Sequence, residues 1–315
     1  MFKNKIITVL AVVLLLFIAI YMFTFTGTKL DYVLPRRGYK VIAMILISFA
    51  IGYSSIIFQT ISANRILTPS IMGFDSFYLL LQSLLVFAYG DRTFQVLNSE
   101  TNFAISVVLM LGFSLVMYYL VFRRESKSMY LLLLVGLLMG TLFRSFSSFI
   151  VMLIDPNEFL IIQSAMFASF DKINLNLLTI SAVLLIASML VGIKYFRQLD
   201  VLSLGRENAI SLGVDYHKVI KANLLIISVM VAISTALVGP ITFLGILVAN
   251  LTYELVKSSK HSYMVLACCL LTAVTVVGGQ YLVEHLFNMS TTISIIINFV
   301  GGVYFIYLLL KSNKG

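Results

Sequence analysis

Tryptophan is absent from this 315-residue chain, cysteine occurs twice, and charged residues make up only 11% of it. Each shortage excludes something. Soluble domains carry about 25% charged residues. With 60% hydrophobic residues and a mean hydropathy of +1.03, the chain has more apolar surface than one soluble core of this length can hide. Cys268 and Cys269 are adjacent in an apolar run, which suits neither a disulfide framework nor a metal knuckle and fits packing residues. Tyr and Phe must supply any interfacial aromatic belt. No G-x-x-x-x-G-K-[ST] phosphate loop and no H-E-x-x-H motif is present. His217, His261 and His285 lie far apart near the ends of apolar runs and read as interfacial polar residues rather than ligands. The sequence offers no catalytic constellation, metal site or cofactor site.

What is there is a series of runs long enough to cross a bilayer. They occupy residues 6–26, 41–62, 74–89, 101–122, 129–154, 173–196, 219–238, 241–256, 262–287 and 291–310. The expected fold is all-α, a single polytopic domain over residues 1–315 with about ten transmembrane helices at ~20 residues each. The first run lacks a small-residue cleavage site and reads as a retained helix. Residues 29–40 read as a polar connection holding Pro35, Arg36 and Arg37, and 159–170 as a helix too short to span.

Charge orients the runs. Most of the 22 Lys and Arg residues fall in connections on the side of Lys3 and Lys5. Lys29, Arg36, Arg37, Lys40, Arg92 and Lys172 fall on the other, with Asp31, Asp155, Asp171 and Glu284. By the positive-inside rule both termini are cytoplasmic. The net charge of +9 is then a topology signal rather than a nucleic-acid footprint. Asp75 and Arg144 are the ionisable residues at membrane depth, where such groups pair or line a cavity.

The longest polar interruption, residues 194–221, lands on the cytoplasmic side. Gly205 and Gly213 bracket R-E-N-A-I-S-L, enough for about two helical turns, and Asp215 can cap the helix that follows. This reads as a short helix lying across a membrane face for another protein to push on. A solvated connection between spans accounts for the same composition. In a helix Ala209 and Leu212, three apart, share a side, and Gly213 can take the positive φ that ends it.

The run L-P-R-R-G-Y-K-V-I-A-M-I-L-I-S-F-A-I-G, then F-Q-T-I-S-A-N-R-I-L-T-P-S-I-M-G, resembles the second-helix signature of the iron–siderophore and vitamin B12 permeases, through Pro35, Arg36, Gln59, Asn64, Pro69 and Gly73. L-S-L-G-R-E-N-A-I-S-L-G-V resembles that family's ATPase-contacting segment. V-G-P-I-T-F-L-G-I-L-V-A-N and G-G-V-Y-F-I-Y-L-L-L-K resemble two later blocks. Order and spacing are kept over nearly the whole chain. Ala249-Asn250, with F-R-S-F-S-S-F and D-P-N-E-F, looks like the branch handling catecholate-type ferric siderophores. Departures are Val33 for the first Arg of R-x-P-R, R-I-L-T-P without the usual N-P, and Asp75 where the family has a small polar residue.

The resemblance implies a type II ABC importer permease. It would work with a sister permease subunit or a second copy, ATPase subunits, and an extracytoplasmic siderophore-binding lipoprotein or periplasmic protein. The chain carries no ATPase site of its own and is not an enzyme; its surroundings are membrane lipid, with no nucleic acid. It places ATPase coupling in residues 197–218, on Arg206, Glu207, Ala209, Leu212 and Gly213. Arg36 and Arg37 would dock the binding protein. Phe143, Arg144, Ser147 and Ser148 would line the passage, with 159–170 at its outer mouth and 126–128 near its inner gate. Small-residue helix packing accounts equally for the serines of that run. The alternative is an ion-gradient-driven secondary transporter of a small solute, for which Asp75 is the sole candidate midplane carboxylate.

Overall fold

Hydrocarbon offers backbone N–H and C=O groups no partner, so a chain this apolar must satisfy them within helices. The computed structural model describes residues 2–24, 30–90, 98–122, 129–171, 173–287, 289 and 291–312. Among these residues thirteen α-helices form and no strand. In chain order they are α1 Phe2–Phe23, α2 Leu30–Ile61, α3 Phe74–Tyr89, α4 Ser99–Phe122, α5 Met129–Leu153, α6 Pro156–Met166 and α7 Leu175–Ile193. Then follow α8 Phe196–Leu202, α9 Arg206–Ser211, α10 Tyr216–Val238, α11 Leu244–Val256, α12 His261–His285 and α13 Ile293–Ser312. Seven are long and apolar enough to cross a membrane, and α3, α11 and α13 contribute shorter apolar lengths. Together they match, in order, the spans read from the sequence.

Besides small shifts at other helix ends, two helices start earlier than expected and one is new. Helix α2 starts at Leu30 rather than after Lys40, with Pro35 inside it. Pro35 is the sixth residue of that helix, so one i→i−4 bond, to the Asp31 carbonyl, is forgone. The short outer helix starts at Pro156, not residue 159. Glu158 and Phe159 donate their N–H groups to the Asp155 carbonyl at 2.9 and 3.1 Å, which fixes that start. Helix α8 was not anticipated.

Two breaks shape the middle of the bundle. Pro69–Met72 form a 3-10 turn ending at Gly73, φ 87°. Gly239, φ 98°, ends α10, and Pro240 has no N–H to continue it. Helices α3 and α11 start just after these breaks. The turn before α3 is clasped by α5: a Cβ on Gly136 would lie 2.9 Å from the Met72 Cα, and one on Gly73 3.1 Å from the Gly140 Cα. Only glycines allow this approach.

Helices α2, α10 and α12 form the interior, while α1, α5 and α7 lie outside. Among the described residues the α2–α12 contact is the most extensive, and it is close: a Cβ on Gly52 would lie 2.9 Å from the Cys269 Cα. Cys268 and Cys269 are free and buried there, as packing residues.

Candidate functional site

The interruption between α7 and α10 folds as two short helices at one end of the bundle. Gly205, φ 100°, and Gly213, φ 81°, flank α9; L-residues adopt such angles at a cost, so glycine is required at both. The Asp215 side chain accepts from the Lys218 N–H at 3.1 Å and caps α10. Arg206 and Glu207 are exposed, with the Arg206 guanidinium 5.5 Å from the Tyr216 ring centre. Ala209 and Leu212 do not share a side. Ala209 is 0% exposed, whereas Leu212 is 62% exposed. The helix ends at Ser211 and Leu212 already belongs to the turn, so the i, i+3 rule fails there. The outward apolar group is Leu204, Ile210 and Leu212, and Ala209 packs inward.

Helix α8 ties this segment to the bundle. The backbone N–H of His261 donates to Asp200 Oδ1 at 2.7 Å, and His261 Nδ1 lies 2.7 Å from the same oxygen. His261 Nε2 lies 2.8 Å from Thr60 Oγ1 on α2. Nearby, the Gln59 and Asn250 amides both donate to the Arg65 carbonyl, at 2.7 and 3.0 Å. That pins the turn after α2, where Ala63 sits at φ 50°, and the Arg65 guanidinium rests 4.6 Å from the Tyr253 ring centre. Sequence reading singled out Gln59 and Asn250 by resemblance without giving them this shared partner, and it treated His261 as interfacial.

At the opposite end Arg36 and Arg37 have different employment. Arg37 Nη1 donates to the carbonyls of Tyr21, Met22 and Thr24 at 2.7, 3.2 and 2.7 Å. It closes the open C-terminal carbonyls of α1. Arg36 is exposed, its guanidinium 4.3 Å from the Tyr32 ring centre. Below them Lys40 bridges Asp171 at 2.6 Å and Glu284 at 3.1 Å. Glu284 also accepts from the Tyr21 hydroxyl at 2.8 Å and the Gln280 amide at 2.9 Å.

Helix α5 has three faces. Phe143, half-buried, and Ser147, buried, pack against α3 and α4. Phe143 sits 5.0 and 5.2 Å from the Phe77 and Phe113 ring centres, and the Ser147 hydroxyl lies 2.8 Å from that of Ser83 on α3. Thr141, Arg144, Ser145 and Ser148 share a second, exposed face at i, i+3, i+4 and i+7. Leu138, Leu142, Phe146 and Phe149 make a third, exposed and apolar. Asp75 is buried in the first turn of α3. Asp75 accepts from the Thr242 hydroxyl at 3.0 Å and is hydrogen-bonded by Ser70. Its carboxyl group, in the first turn of α3, thus ties both helix breaks together. An adjoining cavity of about 30 Å³ is lined by hydroxyls of Ser54, Ser55, Ser70, Thr235 and Thr242, room for water. The expected inner-gate residues 126–128 lie outside the described residues.

A helical bundle with seven helices long and apolar enough to cross a membrane, two helix breaks tied by Asp75 and a glycine-bracketed segment at one end has the type II ABC importer permease fold. The backbone superposes on an inward-facing ABC transporter of metal-chelate type with a TM-score of 0.85 at 19% identity, covering 98% of this chain and 99% of that one. The chain belongs to the FecCD transport family, whose pattern matches residues 5–311. It is 51% identical over 284 residues to the petrobactin import permease YclO of Bacillus subtilis (strain 168), covering 90% of each. It is 32% identical to the petrobactin import permease FatC of Bacillus anthracis, over 89% of this chain and 79% of that one.

Proposed function

We propose that this chain is a membrane-spanning permease subunit that imports a catecholate-type ferric siderophore of the petrobactin kind, driven by ATP hydrolysis on a separate subunit. The observation that carries the reading is half-identity to a petrobactin permease over nine-tenths of both chains. The geometry supports a division of labour. A chain without a phosphate loop must receive work through a contact, and the segment at 197–218 offers one. Its outward surface is Arg206, Glu207, Ile210, Leu212 and the Gly213 turn, while Ala209 supports α9 from beneath.

The partners are an ATPase on that face, a sister permease or second copy, and a binding protein at the opposite end. Arg36 is the exposed cation for docking there, and Arg37 serves α1. The passage runs along the face of α5 that carries Arg144 and Ser148. Both termini lie in the cytoplasm. The test is uptake of radioiron-labelled ferric petrobactin by cells lacking the gene, with and without its return on a plasmid. Uptake should vanish and be restored only with the chain present, and an ATPase should co-purify with a tagged copy. Gradient-driven uptake in vesicles without ATP would overturn the reading in favour of a secondary transporter.

A further inference from the structure

Between the short helix presented to an ATPase and the spans that must move lies a buried polar joint. Asp200, on α8, is half-buried, and His261, the first residue of α12, is 5% exposed. Asp200 Oδ1 takes both the backbone N–H and Nδ1 of His261 at 2.7 Å. A carboxylate at the start of a helix is favoured by the dipole, so Asp200 caps α12 from a different element. Lys260, the residue in the capping position, makes no side-chain bond there. The other imidazole nitrogen faces Thr60 on the last turn of α2. Thr60 Oγ1 also lies 3.0 Å from the Ile56 carbonyl, so its single proton is shared between that carbonyl and Nε2. One imidazole therefore joins α8, α12 and α2.

What the joint holds is a stiff pair. The Gly52 approach to Cys268 and Cys269 leaves α2 and α12 no room to slide. Close-packed interiors transmit displacement instead of absorbing it. Helix α9, with Ala209 buried, packs on α8, and α8 packs on both α2 and α12.

Resting on the permease reading, we propose that Asp200 and His261 are positioning residues for transport, a latch that hands movement of the ATPase-facing segment to the α2–α12 pair. Spatial intermediacy alone does not establish coupling, so the two nitrogens of His261 must be separated by experiment. His261→Asn keeps a donor where Nδ1 meets Asp200 and gives up Thr60. His261→Gln reaches Thr60 and gives up the side-chain bond to Asp200. The two variants are alike in polarity and bulk.

Each is assembled with its ATPase, sister permease and binding protein in proteoliposomes, and ferric petrobactin taken up per ATP hydrolysed is measured. His261→Gln should lose about tenfold, the scale of a lost charge-assisted hydrogen bond, and His261→Asn should stay within about threefold of the unmodified chain. Asp200→Asn should lower the ratio by a similar factor, and adding it to His261→Gln should cost nothing more. Basal hydrolysis and the amount of ATPase retained should be unchanged. Equal behaviour of the Asn and Gln variants, or a loss that follows only the quantity of assembled complex, overturns the latch. An unmodified chain that retains no ATPase overturns the permease reading, and the latch with it.

Discussion

Arg36 and Arg37 are neighbours in sequence and differ by one helical step of about 100°, which is enough to give them unrelated work. Sequence alone shows two cations beside a proline. Only the fold shows that three carbonyls at and just past the end of α1 already occupy Arg37. Arg37→Glu should therefore destabilise the purified chain by about 2 kcal/mol, the scale of hydrogen bonds to a charged donor, seen as a lower thermal midpoint in detergent. Arg36→Glu should leave that midpoint in place. Its effect belongs in the on-rate of the binding protein and its salt dependence, because an exposed pair is worth only about 0.2–1 kcal/mol. Asp75 was equally opaque as a sequence position. Its partners, Thr242 and Ser70, sit at two separate helix breaks. Asp75→Ala leaves hydroxyls unpaired in the interior, which costs about 1–3 kcal/mol. Urea titration of the folded chain should show the loss.

Among the elements, α9 was the most legible, because two glycines with obligatory positive φ mark its ends whatever surrounds it. Its inward side was not, since six residues are too few for a periodic pattern to declare a face. The distinction makes a prediction. Ile210→Asp and Leu212→Asp should uncouple hydrolysis from uptake while the protein reaches the membrane in normal amount. Ala209→Asp would bury a charge without a partner, and should show as less folded protein before any uncoupling is read. Helix α5 invites a complementary experiment. In a background lacking Cys268 and Cys269, single cysteines at 141, 144, 145 and 148 should react with a water-soluble thiol reagent. Those at 143 and 147 should not, nor those at 142, 146 and 149. Silence at all four positions of the first group would move the passage to another helix.

Across the whole molecule, the spans were legible because bilayer thickness sets their length and hydrocarbon forbids irregular backbone exposed to lipid. The pairings were not. Asp200 with His261, Lys40 with Asp171 and Glu284, and Gln59 and Asn250 on one carbonyl join residues remote in sequence, and no local pattern announces them. Helix α12 reaches from the first of these joints to the second. Glu284→Gln, which weakens the far joint, should lower the stimulation of hydrolysis by loaded binding protein and spare the basal rate. Equal stimulation in the variant would confine communication to the ATPase side.

The glycine clasp of α5 on the turn before α3 bears on how the protein is made. Sixteen residues of α3 span about 24 Å, short of the ~30 Å hydrocarbon core. The 3-10 turn that extends it is held by Gly136 and Gly140, which leave the ribosome much later. Helix α3 should therefore enter the bilayer provisionally and settle only when α5 arrives. Ribosome-stalled chains ending before residue 129 should leave the loop after α2 open to protease, and chains extended past residue 160 should protect it.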